Sequence, residues 1–237
     1  MKLEKNDWRE KAKFSAAKKA VEEVKDGFVI GLGSGSTTAY AIKEIGKRVR
    51  EEGIRILGVP TSTQAYILAI ENKIPVTTLN EHPSLDLTID GADQIDKNLN
   101  MIKGMGAALT REKIVASASK KLVIIADETK LVEHLGENNH PVPVEVIPFS
   151  LLPVMQKIKK LGGVPQLREG IKKLGPIITD NGNFILDVSF GKIENPENLN
   201  LKLKIIPGVV ETGLFIKLAQ TAYIGKADGT VTKISKT

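Results

Sequence analysis

Residues 28–38 read Phe28-Val29-Ile30-Gly31-Leu32-Gly33-Ser34-Gly35-Ser36-Thr37-Thr38, an apolar run that breaks into alternating glycines and leads into a helical pattern over 37–50. Read outward from there, the same alternation recurs. Before it, Asn6 to Lys25 sets Trp8, Ala12, Ala16, Ala20, Val21 and Val24 at three- and four-residue spacing, which predicts an amphipathic helix. After it, strand signals fall at 54–59, 76–79, 85–89 and 122–126, with helical signals at 64–71 and around Glu112. Strands alternating with helices predict an α/β fold, a Rossmann-like doubly wound and mostly parallel sheet.

The pattern changes at His140-Pro141-Val142-Pro143-Val144 and Ile147-Pro148, where prolines remove backbone donors and discourage helix. A domain boundary is expected there. Beyond it, 151–161 reads as a helix, and Pro176 to Val188 reads as two strands joined by a tight turn at Asn181-Gly182, since both residues tolerate positive φ. Helix plus hairpin predicts a small α+β domain. The closing segments Leu214-Phe215 and Ala222 to Gly225 again read as strands. The expected division is 1–138 with 208–237 as the larger domain and 139–207 as the smaller, which suits a chain of 237 residues.

Composition narrows the function. Hydrophobic residues make up 41% and charged residues 26%, ordinary for a globular protein with a substantial core. There is no cysteine, which excludes disulfides, thiolate metal sites and a cysteine nucleophile. The N-terminal stretch lacks the apolar core of a signal peptide and no apolar run is long enough to cross a bilayer, so the expected location is cytoplasmic. The net charge of +6 is spread along the chain and aromatic residues are only 4%, too few for a base-stacking platform. Neither nucleic acid nor a membrane is the expected partner; a phosphorylated small molecule is.

Three clusters carry chemistry. In Gly31 to Thr38 the glycines let backbone approach an anion, while hydroxyls and helix N–H groups supply donors. The stretch is not a dinucleotide fingerprint, whose third glycine would fall at Ser36, and no Lys-Ser/Thr pair makes it a Walker loop. A helix cap at Ser36 or Thr37 would use fewer glycines. Asp90 and Asp93 flank Gly91-Ala92 at the end of a strand signal, and Lys103 opens a Gly104-Met105-Gly106 turn that runs into the helix of Glu112. Singly, a D-G turn, a surface lysine and a solvated glutamate explain each of them. Their gathering in one segment points to a catalytic site. His82, His134 and His140 match no familiar ligand spacing, so no metal is expected.

Together Gly33 to Thr37, Asp90-Gly91-Ala92-Asp93 and Lys103 to Lys113 (KGMGAALTREK) resemble ribose-5-phosphate isomerase, type A. The likeness continues through Ala126 to Lys130, Pro143 to Pro148, Thr179 to Asn183 and Pro207 to Val210, nearly the whole chain. The resemblance implies Glu112 as proton acceptor, with Ser34, Gly35, Ser36, Thr37, Asp90, Gly91, Ala92, Asp93, Lys103, Gly104, Met105, Gly106 and Lys130 on the sugar phosphate. It further implies a smaller α+β, ferredoxin-like domain inserted before the last stretch, and a homodimer or homotetramer. Met105 departs from the pattern, which has three glycines after the lysine; at a positive φ its side chain would cost about 1 kcal/mol or more.

The residues suit aldose-ketose chemistry. Moving a proton between C2 and C1 needs a carboxylate over both carbons and a cation on the oxygen that becomes negative. Glu112 and Lys103 fit those catalytic roles, Asp90 and Asp93 suit ring opening, and no cofactor is required. Two other readings use the same motifs. A sugar-phosphate sensor would bind without turnover, but such regulators carry a DNA-binding helix-turn-helix, for which the residues before Gly27 leave no room. A deaminase or lactonase would use the same fold with different catalytic side chains.

Overall fold

The computed structural model describes residues 7–236. In chain order the elements are α1 (Asp7–Val21), β1 (Val29–Leu32), α2 (Ser36–Glu51), β2 (Leu57–Pro60), α3 (Thr63–Glu71), β3 (Leu87–Gly91), β4 (Gln94–Ile95), β5 (Met101–Ile102), α4 (Leu109–Ser117) and β6 (Leu122–Asp127). They continue with β7 (Val142–Val146), α5 (Leu151–Lys160), β8 (Val164–Leu167), β9 (Phe184–Ser189), α6 (Pro196–Lys204), β10 (Val209–Thr212), β11 (Leu214–Phe215), β12 (Thr221–Gly225) and β13 (Val231–Ser235). They pack into two compact units: the described residues up to Ala92 with Arg111–Leu131 and those from Leu218 on, and Asp93–Thr110 with Val132–Lys217. The prolines at 140–148 mark a change of composition, whereas the units turn over where contacts between distant segments do.

The first unit is built on one sheet in the order β13-β12-β6-β3-β1-β2. All its pairings are parallel except the antiparallel edge strand β13. β6 is buried along its whole length, as a parallel strand should be. Ile30, Leu32, Ile89, Val123 and Ile125 from the sheet share one core with Ala16 and Ala20 of α1 and Ile42 and Ile45 of α2. The predicted first helix is shorter than its pattern: it ends at Val21, and its expected start at Asn6 lies outside the described residues.

Just past α1, Glu23 pairs with Lys121 and accepts from the Tyr223 hydroxyl at 2.7 Å, tying the helix end to β12. Burial works to raise the Glu23 pKa, but the hydrogen bonds from Lys121 and Tyr223 outweigh it and hold the carboxyl below its ordinary value. A depressed carboxyl contributes stability above its unfolded pKa and loses it as pH falls through the folded one. Glu23→Gln is therefore expected to cost about 1 kcal/mol at neutral pH, since the partner Lys121 is partly solvated. The gap in melting temperature between variant and wild type should close below the ordinary carboxylate range; a gap independent of pH would contradict this.

The second unit follows β7-α5-β8-β9-α6-β10, with an antiparallel sheet in the order β10-β7-β9-β8, which is the ferredoxin-like arrangement. A small sheet β11-β5-β4 belongs to the same unit. Two local expectations change. The run 76–79 is no strand, only a single bridge from Val76 to Gly58, because the chain turns at once through Thr78 and Glu81. The predicted hairpin has one strand, not two: Pro176 makes only an isolated bridge to Glu169, residues 177–180 form no strand, and the arm after the turn, β9, pairs with β7 and β8. The turn itself forms, with Gly182 N–H donating to the Thr179 carbonyl at 2.9 Å. Val164–Leu167, unassigned from the sequence, is a strand despite Pro165, which β8 tolerates as an edge. Among the described residues no helix is long and apolar enough to cross a membrane.

Candidate active site

In the first unit the chain leaves β1 for β2 on one side, then returns to place β3 on the other. Ligands of open α/β sheets bind outside the strand carboxyl ends at such a reversal. Two predicted motifs meet there. β1 and β3 run in register with Leu32 opposite Ile89, so the 33–37 loop emerges beside Asp90. The approach is so close that a Cβ on Gly33 would lie 2.2 Å from Asp90 Oδ1. Asp90 is fully buried, and Oδ1 accepts the Gly91 N–H at 2.7 Å. Gly33→Ala is thus expected to displace the Asp90 carboxylate and to lower kcat/KM by about 10²-fold, as misplacements of about 1 Å do. Steady-state kinetics with a melting curve check it; unchanged kcat/KM would mean that Asp90's position is immaterial.

Gly35 is the N-cap of α2, with φ 112°, a left-handed conformation that favours glycine. No side chain caps this helix, unlike the Ser36 or Thr37 cap that a plain turn would use, and an uncapped helix start is a place where backbone N–H groups can receive an anion. Ser36 is exposed and Thr37 half-buried. Ser34 is occupied otherwise: its hydroxyl bonds Thr61 Oγ1 at 2.8 Å and Ser62 Oγ at 2.5 Å. Gln64 Oε1 accepts the Gly35 N–H at 2.9 Å. The stretch Thr61-Ser62-Thr63-Gln64 was missed by the sequence reading. Its signal is the same as that of 33–37, hydroxyls between a strand end and a helix start.

Glu112 lies in the first turn of α4 and is only 5% exposed, where the helix dipole favours a negative charge. The rest of that helix is fixed against the sheet. Val115 packs with Val59 and Leu85, and Ser119 just beyond bonds both Thr88 Oγ1 at 2.6 Å and the Val115 carbonyl at 2.7 Å. Lys130 is half-buried at the end of a 3-10 turn, Glu128–Lys130, that follows β6 and is capped by Asp127.

In the second unit, Asp93 and the Lys103 turn come together. The Asp93 N–H donates to the Ile102 carbonyl at 2.9 Å, and Asp93 Oδ2 accepts the Met105 N–H at 3.0 Å. Lys103 is buried; its N–H donates to the Gly213 carbonyl at 2.9 Å and its ammonium lies 5.3 Å from the Phe215 ring centre. The left-handed positions of the turn are Gly104 (φ 108°) and Ala107 (φ 59°). Met105 is not one of them, so its side chain carries no such strain. Arg168, which no local pattern flagged, braces the turn. Its guanidinium pairs with Asp187 and donates to the carbonyls of Gly104 at 2.9 Å and Met105 at 3.0 Å.

Among the described residues, Glu133, His134 and Glu137 bring potential ligand atoms within 4.8 Å of one another. Glu137 Oε1 accepts the His134 N–H at 2.9 Å, as in a capped turn.

A glycine loop at an uncapped helix start, beside a buried acid at the sheet's reversal point, defines an α/β enzyme for a small anionic substrate. The sequence pattern of the family described as Ribose 5-phosphate isomerase A (phosphoriboisomerase A) matches residues 57–229. The ribose-5-phosphate isomerase A of Methanosarcina acetivorans is 57% identical over 213 residues, covering 90% of this chain and 89% of that protein. The structure of ribose 5-phosphate isomerase A from Methanocaldococcus jannaschii superimposes with a TM-score of 0.92 at 44% identity, over 98% of this chain and 100% of that one. A D-ribose-5-phosphate isomerase solved in complex with phospho-erythronic acid gives 0.93 at 44% identity, over 96% and 99%. The chain belongs to the ribose 5-phosphate isomerase A family, whose members are aldose-ketose isomerases.

Proposed function

We propose that the protein interconverts D-ribose 5-phosphate and D-ribulose 5-phosphate through an enediolate, the isomerisation of the non-oxidative pentose phosphate pathway, with Glu112 as the proton shuttle. The observation that carries this reading is the buried Glu112 carboxylate, in the first turn of a helix packed on the sheet whose reversal point holds the 33–37 loop and Asp90. Glu112 removes the C2 proton and returns it at C1; Lys103 neutralises the oxygen that becomes negative. Asp90 and Asp93 exchange the proton that opens the furanose ring. The α2 N-terminus with Gly35 to Thr37 and Lys130 hold the phosphate, while Gly91, Ala92, Gly104, Met105 and Gly106 line the sugar. Ser34 acts by joining the two hydroxyl loops.

Phospho-erythronic acid, the ligand of the similar isomerase, supports the enediolate route: its carboxylate presents two oxygens on one planar carbon, as the enediolate does on adjacent carbons. Neither a metal nor a redox cofactor is needed, since the shuttle keeps both electrons within the substrate. A homodimer or homotetramer in the cytoplasm is part of the same reading. Tyr66, Ile67 and Ile70 are half-exposed along α3, and apolar faces of that kind mark contact surfaces. The test is turnover of ribose 5-phosphate in excess EDTA by wild type and by Glu112→Gln. Turnover by the wild type alone is expected; tight binding without turnover by either would favour a sensor.

A further inference from the structure

Two segments of the sequence, Pro143 to Pro148 and Thr179 to Asn183, have no part in the proposed chemistry, and they meet at one carboxylate. Glu145 lies in β7, paired opposite Ile185 of β9 on one side and Glu211 of β10 on the other, and is completely buried. Its Oε1 accepts from Thr179 Oγ1 at 2.9 Å, Asn181 Nδ2 at 3.0 Å and Asn183 Nδ2 at 2.8 Å. Its Oε2 accepts from Thr110 Oγ1 at 2.5 Å. A carboxylate offers about four lone-pair sites, so these four donors fill it. Burial of a charge at the centre of a sheet is costly unless it is compensated in this way. A tightly packed strand would ordinarily carry an apolar residue here, as the neighbouring Val144 and Val146 do.

We propose that Glu145 is a positioning residue for the isomerisation: through Thr110 it fixes the first turn of α4, the helix that carries Glu112. The inference rests on the assignment of Glu112 as proton shuttle. Thr110 and Glu112 are two residues apart on one helix, so their side chains project roughly 200° apart around its axis. Pinning the Thr110 hydroxyl therefore sets the helix rotation, and with it the direction of a carboxylate on another side of the same turn. The Thr179–Asn183 turn in its own right has no need of a buried acid: its backbone is already closed by Thr179 N–H to the Asn183 carbonyl and Gly182 N–H to the Thr179 carbonyl, both at 2.9 Å. It instead supplies three donors to Oε1, which leave Oε2 oriented toward Thr110.

The test compares Thr110→Val, Thr110→Ser and Glu145→Gln with wild type and Glu112→Gln in the full chain. Readouts are kcat, KM, melting temperature and the isotope effect on kcat with 2-deuterated ribose 5-phosphate. Thr110→Val removes the hydroxyl without changing shape, and Thr110→Ser restores it. In Glu145→Gln an NH₂ group faces either Thr110 or the turn donors, whichever way the amide is turned. Thr110→Val and Glu145→Gln are expected to lower kcat by about 10- to 100-fold with KM within about threefold, and to raise the isotope effect, because a misaligned base makes proton transfer slower. Thr110→Ser should stay close to wild type. If Glu145→Gln fails to fold, the two threonine variants decide. Thr110→Val with wild-type kcat, or Thr110→Ser no better than Thr110→Val, would overturn the positioning role while the Glu112 assignment stands. An active Glu112→Gln would overturn that assignment and this inference with it.

Discussion

Glu112→Gln is expected to abolish isomerisation, lowering kcat by about 10²–10⁴-fold, which is the usual contribution of a positioned general base. In free energy that is about 3–5 kcal/mol of transition-state stabilisation. Gln keeps the volume and the hydrogen-bonding oxygen, and the site is buried, so neither packing nor ground-state binding should change much. The dissociation constant of phospho-erythronic acid, measured by calorimetry, should therefore stay within a few-fold of wild type while turnover disappears. Exchange of the C2 hydrogen with solvent should vanish in parallel. Wild-type turnover in this variant would show that the proton is carried by another group, and weak binding with intact turnover would make Glu112 a substrate contact only.

Lys103→Met is expected to lower kcat by about 10²–10³-fold, the loss typical of one oxyanion-stabilising group. Met retains most of the aliphatic stem of the buried side chain, and the Lys103 backbone stays anchored to Gly213, so the melting temperature should hold. Lys103→Arg should not restore activity, because a planar guanidinium cannot occupy the place of a compact ammonium. An interaction made only in the transition state lowers kcat and kcat/KM together. A raised KM at constant kcat would instead place Lys103 on the phosphate or a hydroxyl.

The core of the fold was readable because each strand–helix alternation leaves a local trace. Val29–Leu32 and Leu122–Asp127 are largely apolar and buried, Leu87 and Ile89 alternate with Thr88 and Asp90 in β3, and α2 and α3 carry the buried stripes Ala41, Ile42, Ile45 and Ala65, Ala69. The second unit was harder. β8 carries a proline that only an edge strand tolerates, and α6 begins at Asn195-Pro196, where the Asn195 side chain caps by accepting the Asn198 N–H. In the expected arm at 176–180 the chain is held instead by contacts that no local pattern shows: Thr179, with Asn181 and Asn183 after it, donates its side chain to the distant Glu145.

Much of the candidate site was equally legible: the glycine loop is one short motif, and the Asp90–Asp93 pair, the Lys103 turn and Glu112 follow one another within a single stretch of chain. Their braces were not. Arg168 reaches Gly104 and Met105 across more than sixty residues of chain, and Ser34 meets Thr61 and Ser62 only because β1 and β2 lie side by side. Met105 illustrates the reverse case, since the suspected strain falls on Gly104 and Ala107 once φ is known.

The amino-acid sequence alone was enough for the α/β class and the family, and it singled out the candidate reacting groups, because periodicity and short motifs are properties of neighbouring residues. The strand order that puts the reversal between β1 and β3, the 2.2 Å approach that leaves no room for a side chain at Gly33, and the burial of Glu145 under four donors arose only on folding. These depend on which distant segments share a sheet, and that choice is made by the burial of the whole core rather than by any local stretch of chain.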